Sequence, residues 1–180
     1  MELAEKIFFR NWPRPLDIGG PPDLGLDLST GALGSFLLNG PREGLKERLG
    51  APINWNRWRK RGEWHYPGLG IWFETSKGTI EGINPVTRER DEYHHLPGWK
   101  ECWRPWAGSI RFPDGKRVTA FEAKLDHFLR HAGEPDKRHV DREGIDFIYC
   151  YSPKFPNFAF DVEFTPAEEL AALLLYSTRD

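Results

Sequence analysis

Two histidines have the spacing of a shared metal site. His127 and His131 stand four residues apart, and on a helix this spacing allows two imidazoles to bind one metal ion. At about 100° per residue, both lie away from the apolar stripe of their segment, beside Lys124 and Arg130. Because no third ligand follows at a diagnostic spacing, we interpret them as part of a solvated helix face.

The densest group of ligand-type residues lies in the middle of the chain. His94 and His95 follow Asp91 and Glu92, and Cys102 comes shortly after. These residue types suit a zinc site or a His/Cys-based enzyme, although adjacent histidines point in different directions and the cysteine spacing matches no ligand pattern. Nucleophile-elbow, zincin and phosphate-loop motifs are absent from the sequence. We therefore expect no catalytic residues and no cofactor, and keep this group as the alternative.

Residues 54–61 interleave tryptophans with cations. The members with this character are Trp55, Arg57, Trp58, Arg59, Lys60 and Arg61. Such a segment can stack bases and neutralise phosphates, which makes nucleic-acid binding a third hypothesis. Tryptophan and arginine also dominate protein-interface hot spots, and this is the interpretation that we favour.

A second aromatic segment precedes the C-terminal half. Trp99, Trp103 and Trp106 lie within eight residues of one another, and Tyr93 lies upstream. Buried tryptophans there would join the two halves of the chain, whereas exposed ones would form a partner site. We predict Tyr93, Trp99 and Trp103 as partner contacts, together with the aromatic and arginine residues of segment 54–61.

Composition limits the class of protein. The 180 residues carry 25 Lys and Arg against 27 Asp and Glu, a net charge of −2 that disfavours nucleic acid as a partner. Two cysteines, Cys102 and Cys150, cannot build a disulfide framework, so we expect a reducing, cytoplasmic location. No apolar run approaches the length of a membrane span, and we expect no membrane contact and no small-molecule ligand.

Helices are predicted in both halves. Residues 121–132 carry apolar side chains with a period of about 3.6, namely Phe121, Leu125, Phe128, Leu129 and Ala132. Thr119 and Glu122 match a capping box, and Gly133 is typical of a helix end. A shorter helix of barely two turns is predicted to begin at Pro41 and to stop at Gly50, with only Leu45 and Leu49 to bury.

The C-terminus is predicted to be a third helix. Thr165, Pro166 and Glu168 match a cap, a first-turn proline and a capping-box acid. The following run, Leu170 to Leu175, is apolar nearly all round, as in a helix docked on a sheet.

The chain repeats one pattern of elements. A short strand, a glycine turn, a helix ending at Gly-x-Pro and an antiparallel meander occur twice. We predict an α+β fold in which two tandem strand–helix–meander repeats pack side by side, with helices on one face of the sheet. The predicted divisions are an extended arm (1–30), repeat 1 (31–90), a linker (91–106) and repeat 2 with the C-terminal helix (107–180).

The repeat resembles a known family. Leu49-Gly50-Ala51-Pro52, the segment 66–73 and Gly78-Thr79-Ile80 look like the unit of β-lactamase-inhibitor-protein-like domains and of related bacterial two-repeat proteins. Gly133-Glu134-Pro135 matches in the second copy, and the resemblance covers about residues 31–164. It implies a scaffold whose exposed sheet grips another protein, and it implies no chemistry. The inhibitor itself is exported and disulfide-bonded, whereas we expect this chain to be cytoplasmic and without a disulfide framework.

These expectations combine into one functional hypothesis. The aromatic content favours a non-enzymatic protein-binding module. The resemblance implies an immunity or inhibitor protein whose partner is a bacterial toxin.

Overall fold

The computed structural model describes residues 24–50, 52–54, 61–88, 103–140, 147–155 and 157–178. Within them the chain forms thirteen strands, two short helices and one 3₁₀ turn. The strands are β1 Leu26–Asp27, β2 Ala32–Leu33, β3 Phe36–Leu37, β4 Ile53–Asn54, β5 Arg61–Tyr66, β6 Ile71–Ser76, β7 Thr79–Pro85, β8 Ser109–Arg111, β9 Arg117–Thr119, β10 Lys137–Val140, β11 Phe147–Phe155, β12 Phe158–Phe164 and β13 Leu170–Ser177. The helices are α1 Glu43–Leu49 and α2 Leu125–His131, and the 3₁₀ turn is Pro67–Leu69.

The strands form two sheets. The smaller sheet has the order β3-β2-β1-β8-β9, and the larger has the order β10-β11-β12-β13-β7-β6-β5-β4. All described pairings are antiparallel except that of β1 with β8. The predicted α+β class is therefore wrong: the described chain is mostly β, and two seven-residue helices do not form a helical layer on the sheet.

The larger sheet joins the two halves of the chain. Strands β4 to β7 form one meander, strands β10 to β13 form the other, and they meet where β13 pairs with β7. In each half, strands of the smaller sheet and one short helix precede the meander. The tandem duplication itself stays a prediction.

The predicted C-terminal helix is wrong, because Leu170–Ser177 is strand β13. The capping-like residues before it form a turn instead: the amide of Glu168 donates to the carbonyl of Thr165 at 2.8 Å, and Glu168 has a positive φ of 59°. Residues 170–173 and Leu175 of the apolar run are buried, Leu174 is half-buried, and β13 has a neighbouring strand on each edge. A short apolar run of this kind has no period that separates a helix from a buried strand.

Helix α2 is shorter than predicted. The side chains of Thr119 and Glu122 do interact, with Thr119 Oγ1 donating to Glu122 Oε2 at 2.7 Å, but they close a turn before the helix. Phe121 is consequently 63% exposed, and the helix begins after Lys124. The predicted end is confirmed, since Gly133 has a φ of 89° directly after the last turn.

A single core receives residues from both halves. Phe128 of α2 packs edge-to-face between Phe112 and Phe164, with centroids 5.0 and 5.4 Å away. Trp106 is buried, and its Nε1 donates to the carbonyl of Leu24 at 3.2 Å. Leu24, Leu26 and Leu28 thus belong to the core, and the division into arm, repeats and linker stays a prediction. Neither described helix is long or apolar enough to cross a membrane.

Candidate functional site

The larger sheet has an inner face, which packs on the core, and an outer face, which holds the candidate site. Strand alternation on β6 turns Phe73 inward, where it is fully buried, and places Trp72 and Glu74 on the outer face. The same alternation on β12 places Asp161 and Glu163 on the outer face. Polar and aromatic groups from both halves therefore share one side of the sheet.

The strand register aligns one row of residues across this outer face. The meanders meet where Leu175 pairs with Ile83, and this pairing places Leu174 beside Asn84. From β5 to β10 the row contains His65, Trp72, Asn84, Leu174, Asp161, Cys150 and Lys137. Because neighbouring strands lie about 4.8 Å apart, residues distant in sequence come within side-chain reach.

A cleft of about 320 Å³ lies over this row, and we call it the outer cleft. It is lined by residues of seven strands: Glu63, Trp72, Glu74, Asn84, His139, Ile148, Asp161, Glu163, Ala172, Leu173 and Leu174. Four of them are carboxylates, and none is a lysine or an arginine. The described lining is therefore acidic, although the whole chain is nearly neutral.

Asn84 lies at the centre of the outer cleft. It is 3% exposed, and its Nδ2 has no hydrogen-bond partner among the described residues. An unmade hydrogen bond at a buried donor costs about 1–3 kcal/mol. In this conformation Nδ2 is also shielded from solvent.

Glu63 is held by a histidine at one end of the outer cleft. Nε2 of His65 donates to Oε2 of Glu63 at 3.1 Å, and the imidazole stacks on Trp72 with centroids 5.9 Å apart. The hydrogen bond from His65 is the largest cause that lowers the pKa of Glu63, against an opposing effect of burial. Glu63 is thus a carboxylate at neutral pH, and it lies directly opposite Glu74 on β6.

Asp161 organises the other end. The hydroxyl of Tyr176 donates to Oδ1 of Asp161 at 3.5 Å, and Cys150 lies directly across the strand pair. Burial raises the pKa of the Cys150 thiol to about 11, with further contributions from Asp161. Burial also raises the pKa of Tyr176. At neutral pH both groups remain protonated donors, and Cys150 is not a nucleophile.

The outer cleft combines charged, apolar and hydrogen-bonding groups. Carboxylates line it, Trp72 and Leu174 supply apolar surface, and Asn84 supplies a donor. In the described part of the chain no group of three or more His, Cys, Asp or Glu residues could hold a metal ion. The carboxylates present suit a cationic ligand.

Most of the residues predicted from sequence to bind a partner or a metal lie outside the described part of the chain. They are Trp55, Arg57, Trp58, Arg59, Tyr93, His94, His95, Trp99 and Cys102. Arg61 is the first residue of β5, where its backbone pairs with Ser76. Trp103 is half-buried, and its carbonyl accepts a hydrogen bond from Arg104 at 2.7 Å. The partner contacts predicted for this set stay predictions.

The structure gives His127 and His131 separate partners. Nδ1 of His131 lies 2.6 Å from Oδ2 of Asp114, in the turn between β8 and β9. Nδ1 of His127 accepts a hydrogen bond from the backbone amide of Lys124 at 3.2 Å, at the start of α2. His131 thus links α2 to the β8–β9 turn, and His127 caps the start of α2 itself.

Sequence reasoning missed the outer cleft. Alternation in β12 placed Asp161 and Glu163 on a solvent side, but nothing local connects them with Glu63, Trp72 or Asn84. The pairing of β13 with β7 makes that connection. It could not be predicted because Leu170–Ser177 was expected to be a helix, not a strand.

Comparison with known proteins identifies no family. No family model and no curated protein matches the chain. Among solved structures, a DUF4309 family protein of Bacillus subtilis is similar with a TM-score of 0.47 and 8% identity, over 97% of this chain and 93% of that chain. A cysteine-rich secretory protein of Staphylococcus aureus has a TM-score of 0.39 and 10% identity, over 85% of this chain and 50% of that chain. Similarity at this level carries no functional inference.

Proposed function

We propose that this protein is a non-enzymatic protein-binding module that acts in the cytoplasm as an immunity or inhibitor protein for a bacterial toxin. The observation that carries the proposal is the outer cleft, to which seven strands of one sheet contribute side chains. Side chains held on a hydrogen-bonded sheet lose little freedom on binding, so a larger share of the interaction energy appears as affinity. The resemblance of the sequence to inhibitor-like repeats supports the same role.

The acidic lining favours a basic partner surface. Glu63, Glu74, Asp161 and Glu163 lie on one face of the sheet, whereas the net charge of the whole chain is only −2. Complementary charge raises the association rate and excludes like-charged partners. The same charges repel phosphate backbones, which disfavours nucleic acid at this face.

The protonation states support binding over catalysis at this site. A catalytic nucleophile requires a lowered thiol pKa or a nearby base, whereas burial and Asp161 raise the pKa of Cys150. Cys150 and Tyr176 are instead fixed hydrogen-bond donors that orient Asp161.

The test is binding to a partner isolated from the native host and then purified. We expect the double variant Glu74→Gln, Asp161→Asn to bind the purified partner at least about tenfold more weakly by calorimetry, because interface charge pairs are hot-spot contacts. The matched control, Glu47→Gln with Asp126→Asn, removes two carboxylates from the exposed helix surfaces and should bind like wild type.

A toxin partner adds a functional readout. Its activity should fall to background when wild-type protein is added in equimolar amount, and should persist with the cleft double variant. Equal inhibition by both proteins, or chemical turnover of the partner, would contradict the proposal.

A further inference from the structure

We infer that β10 is a docking edge for an extended segment of another protein, which adds to the larger sheet as a further strand. The segment alternates acidic with apolar residues, so that its acids lie beside Lys137 and its apolar side chains lie beside Val140. The inference goes beyond the proposed function, because it assigns a second surface of the molecule, and it does not require that the partner be a toxin.

The backbone of β10 is open along one edge in the described part of the chain. The strand is the last of the larger sheet and pairs only with β11 there. The backbone groups of Lys137–Val140 form no described hydrogen bond other than those of this pairing, and all four residues are exposed. Unpaired N–H and C=O groups of this kind are a template for an added strand.

The other described sheet edges offer less backbone. Strands β3 and β4 have two residues each, and β9 has three, whereas β10 has four. Because the main-chain hydrogen bonds of an added strand supply its affinity, the longest edge is the best template.

The outer face of this edge is basic. Lys137 pairs with Cys150, and His139 lines the outer cleft, so both side chains lie on the outer face of the sheet. Among the described residues Lys137 has no ion-pair partner. Side chains directly opposite each other on neighbouring strands lie about 5 Å apart at Cβ, and opposite charges at such positions stabilise the pairing. An acidic residue of the added strand therefore fits beside Lys137.

The inner face of this edge is apolar. Val140 pairs with Phe147, and these residues are 48% and 43% exposed. Arg138 lies on the same face, but its guanidinium is over the ring of Tyr149 at 5.5 Å and forms an ion pair with Glu134 at 2.6 Å. The unoccupied contact on this face is therefore apolar. An added strand that presents an apolar side chain here would remove exposed hydrophobic surface from water.

Charge argues against a second copy of this chain as the occupant. Antiparallel pairing of β10 with itself would bring Lys137 and Arg138 of both copies to one seam, and like charges across a strand pair are destabilising. Lysines on edge strands are a common device against such self-association. An acidic strand meets the same lysine as an attractive partner.

A short alternating peptide tests the inference on the full chain. N-acetyl-Thr-Glu-Val-Glu-Val-Thr-amide should produce saturable NMR shifts of the backbone amides of residues 137–140 at millimolar concentration. Hydrogen exchange of alternate amides in β10 should slow about fivefold or more at saturation, because strand addition pairs N–H groups that face solvent. The analogue with lysine in place of both glutamates should bind at least about tenfold more weakly. Absence of saturable shifts in β10, unchanged exchange, or equal affinity for the two peptides would overturn the inference.

Variants assign the two contacts. Lys137→Glu should weaken the acidic peptide at least about tenfold and strengthen binding of the lysine analogue, whereas Lys116→Glu, in the exposed turn between β8 and β9, should bind like wild type. Val140→Ser should weaken the acidic peptide about threefold. Unchanged affinity in Lys137→Glu would contradict the position of the acid, and unchanged affinity in Val140→Ser would contradict the apolar contact.

Sedimentation without peptide tests the alternative occupant. We expect a monomer; a dimer in which exchange at β10 is already slowed would identify a second copy as the occupant and overturn the inference. The proposed function is tested separately at Glu74 and Asp161. If the purified partner depends on those carboxylates and the peptide does not bind β10, the proposed function stands and this inference is wrong.

Discussion

Asp161 lies directly opposite Cys150 in the antiparallel pairing of β11 with β12. Burial, followed by the hydrogen bond and charge of Asp161, raises the pKa of the thiol to about 11. Lys137, which is next in the row, acts in the opposite direction. The outer face of the larger sheet therefore contains a cysteine that is unreactive at neutral pH, because only a thiolate is nucleophilic.

Alkylation should reveal this pKa. In a Cys102→Ser background, the rate at which iodoacetamide modifies Cys150 should increase about tenfold per pH unit and level off only near pH 11. Asp161→Asn should lower the midpoint but leave it above that of a free thiol, since burial persists. Mass spectrometry across pH 7–11 measures the alkylation rate in both proteins. A rate that already levels off near pH 8.5, about the pKa of a free thiol, would contradict the raised pKa.

Replacement of Phe128 should strongly destabilise the fold. Its ring is fully buried between Phe112 and Phe164, so Phe128→Ala should reduce the free energy of unfolding by about 3–5 kcal/mol. Denaturant titration gives the value. Phe121→Ala is the matched control, because Phe121 belongs to the same predicted apolar stripe but is 63% exposed; its effect should stay within about 0.5 kcal/mol. Comparable losses in both variants would contradict the observed start of α2.

Replacing Gly70 and Gly44 by alanine should change the stability of the protein in opposite directions. Gly70 has a φ of 63°, and a Cβ there would clash with the backbone of residues 104–106, so Gly70→Ala should cost more than about 1–2 kcal/mol. Gly44 lies in α1, and a Cβ there meets nothing within 4 Å. Gly44→Ala should stabilise the protein by about 0.5–1 kcal/mol. Thermal unfolding of the two variants distinguishes these directions, and destabilisation by Gly44→Ala would contradict the helical assignment.

The contact between Glu63 and His65 should contribute to acid sensitivity. Because folding lowers the pKa of Glu63, its contribution to stability is complete above the unfolded-state pKa and is lost as the pH falls through the lowered value. Glu63→Gln should therefore reduce the urea midpoint at pH 7, and the difference from wild type should shrink as the pH approaches 3. A difference that persists unchanged at pH 3 would show that the carboxylate charge is not its cause.

Local sequence signals were sufficient to predict the positions of several helices, strands and turns. The Gly50 stop of α1, the Pro67-Gly68 turn and the Gly78 turn were all recognisable, and the structure has α1, β5, β6 and β7 around them. Turn residues restrict the backbone over a few positions, so their effect does not depend on distant contacts. The strand β12 was equally evident, since alternation with a period of two is a local property.

The wrong helix predictions came from short capping motifs, which occur in turns as well as at the start of helices. Thr119 with Glu122, and Thr165 with Glu168, match helix caps, yet both pairs lie in turns. A capping hydrogen bond is worth only about 1 kcal/mol, and the pairing of β13 with two neighbouring strands outweighs it. The α+β expectation failed for this reason.

The sequence alone determined where the chain turns, which residues alternate between the faces of a strand and which large aromatic side chains are available for a core. Only the tertiary structure decided that β13 lies between β12 and β7, and so that Asn84 and Trp72 share a cleft with Asp161. The physical reason is range: turn chemistry acts over a few neighbouring residues, whereas strand pairing depends on which distant segments bury the same surface together.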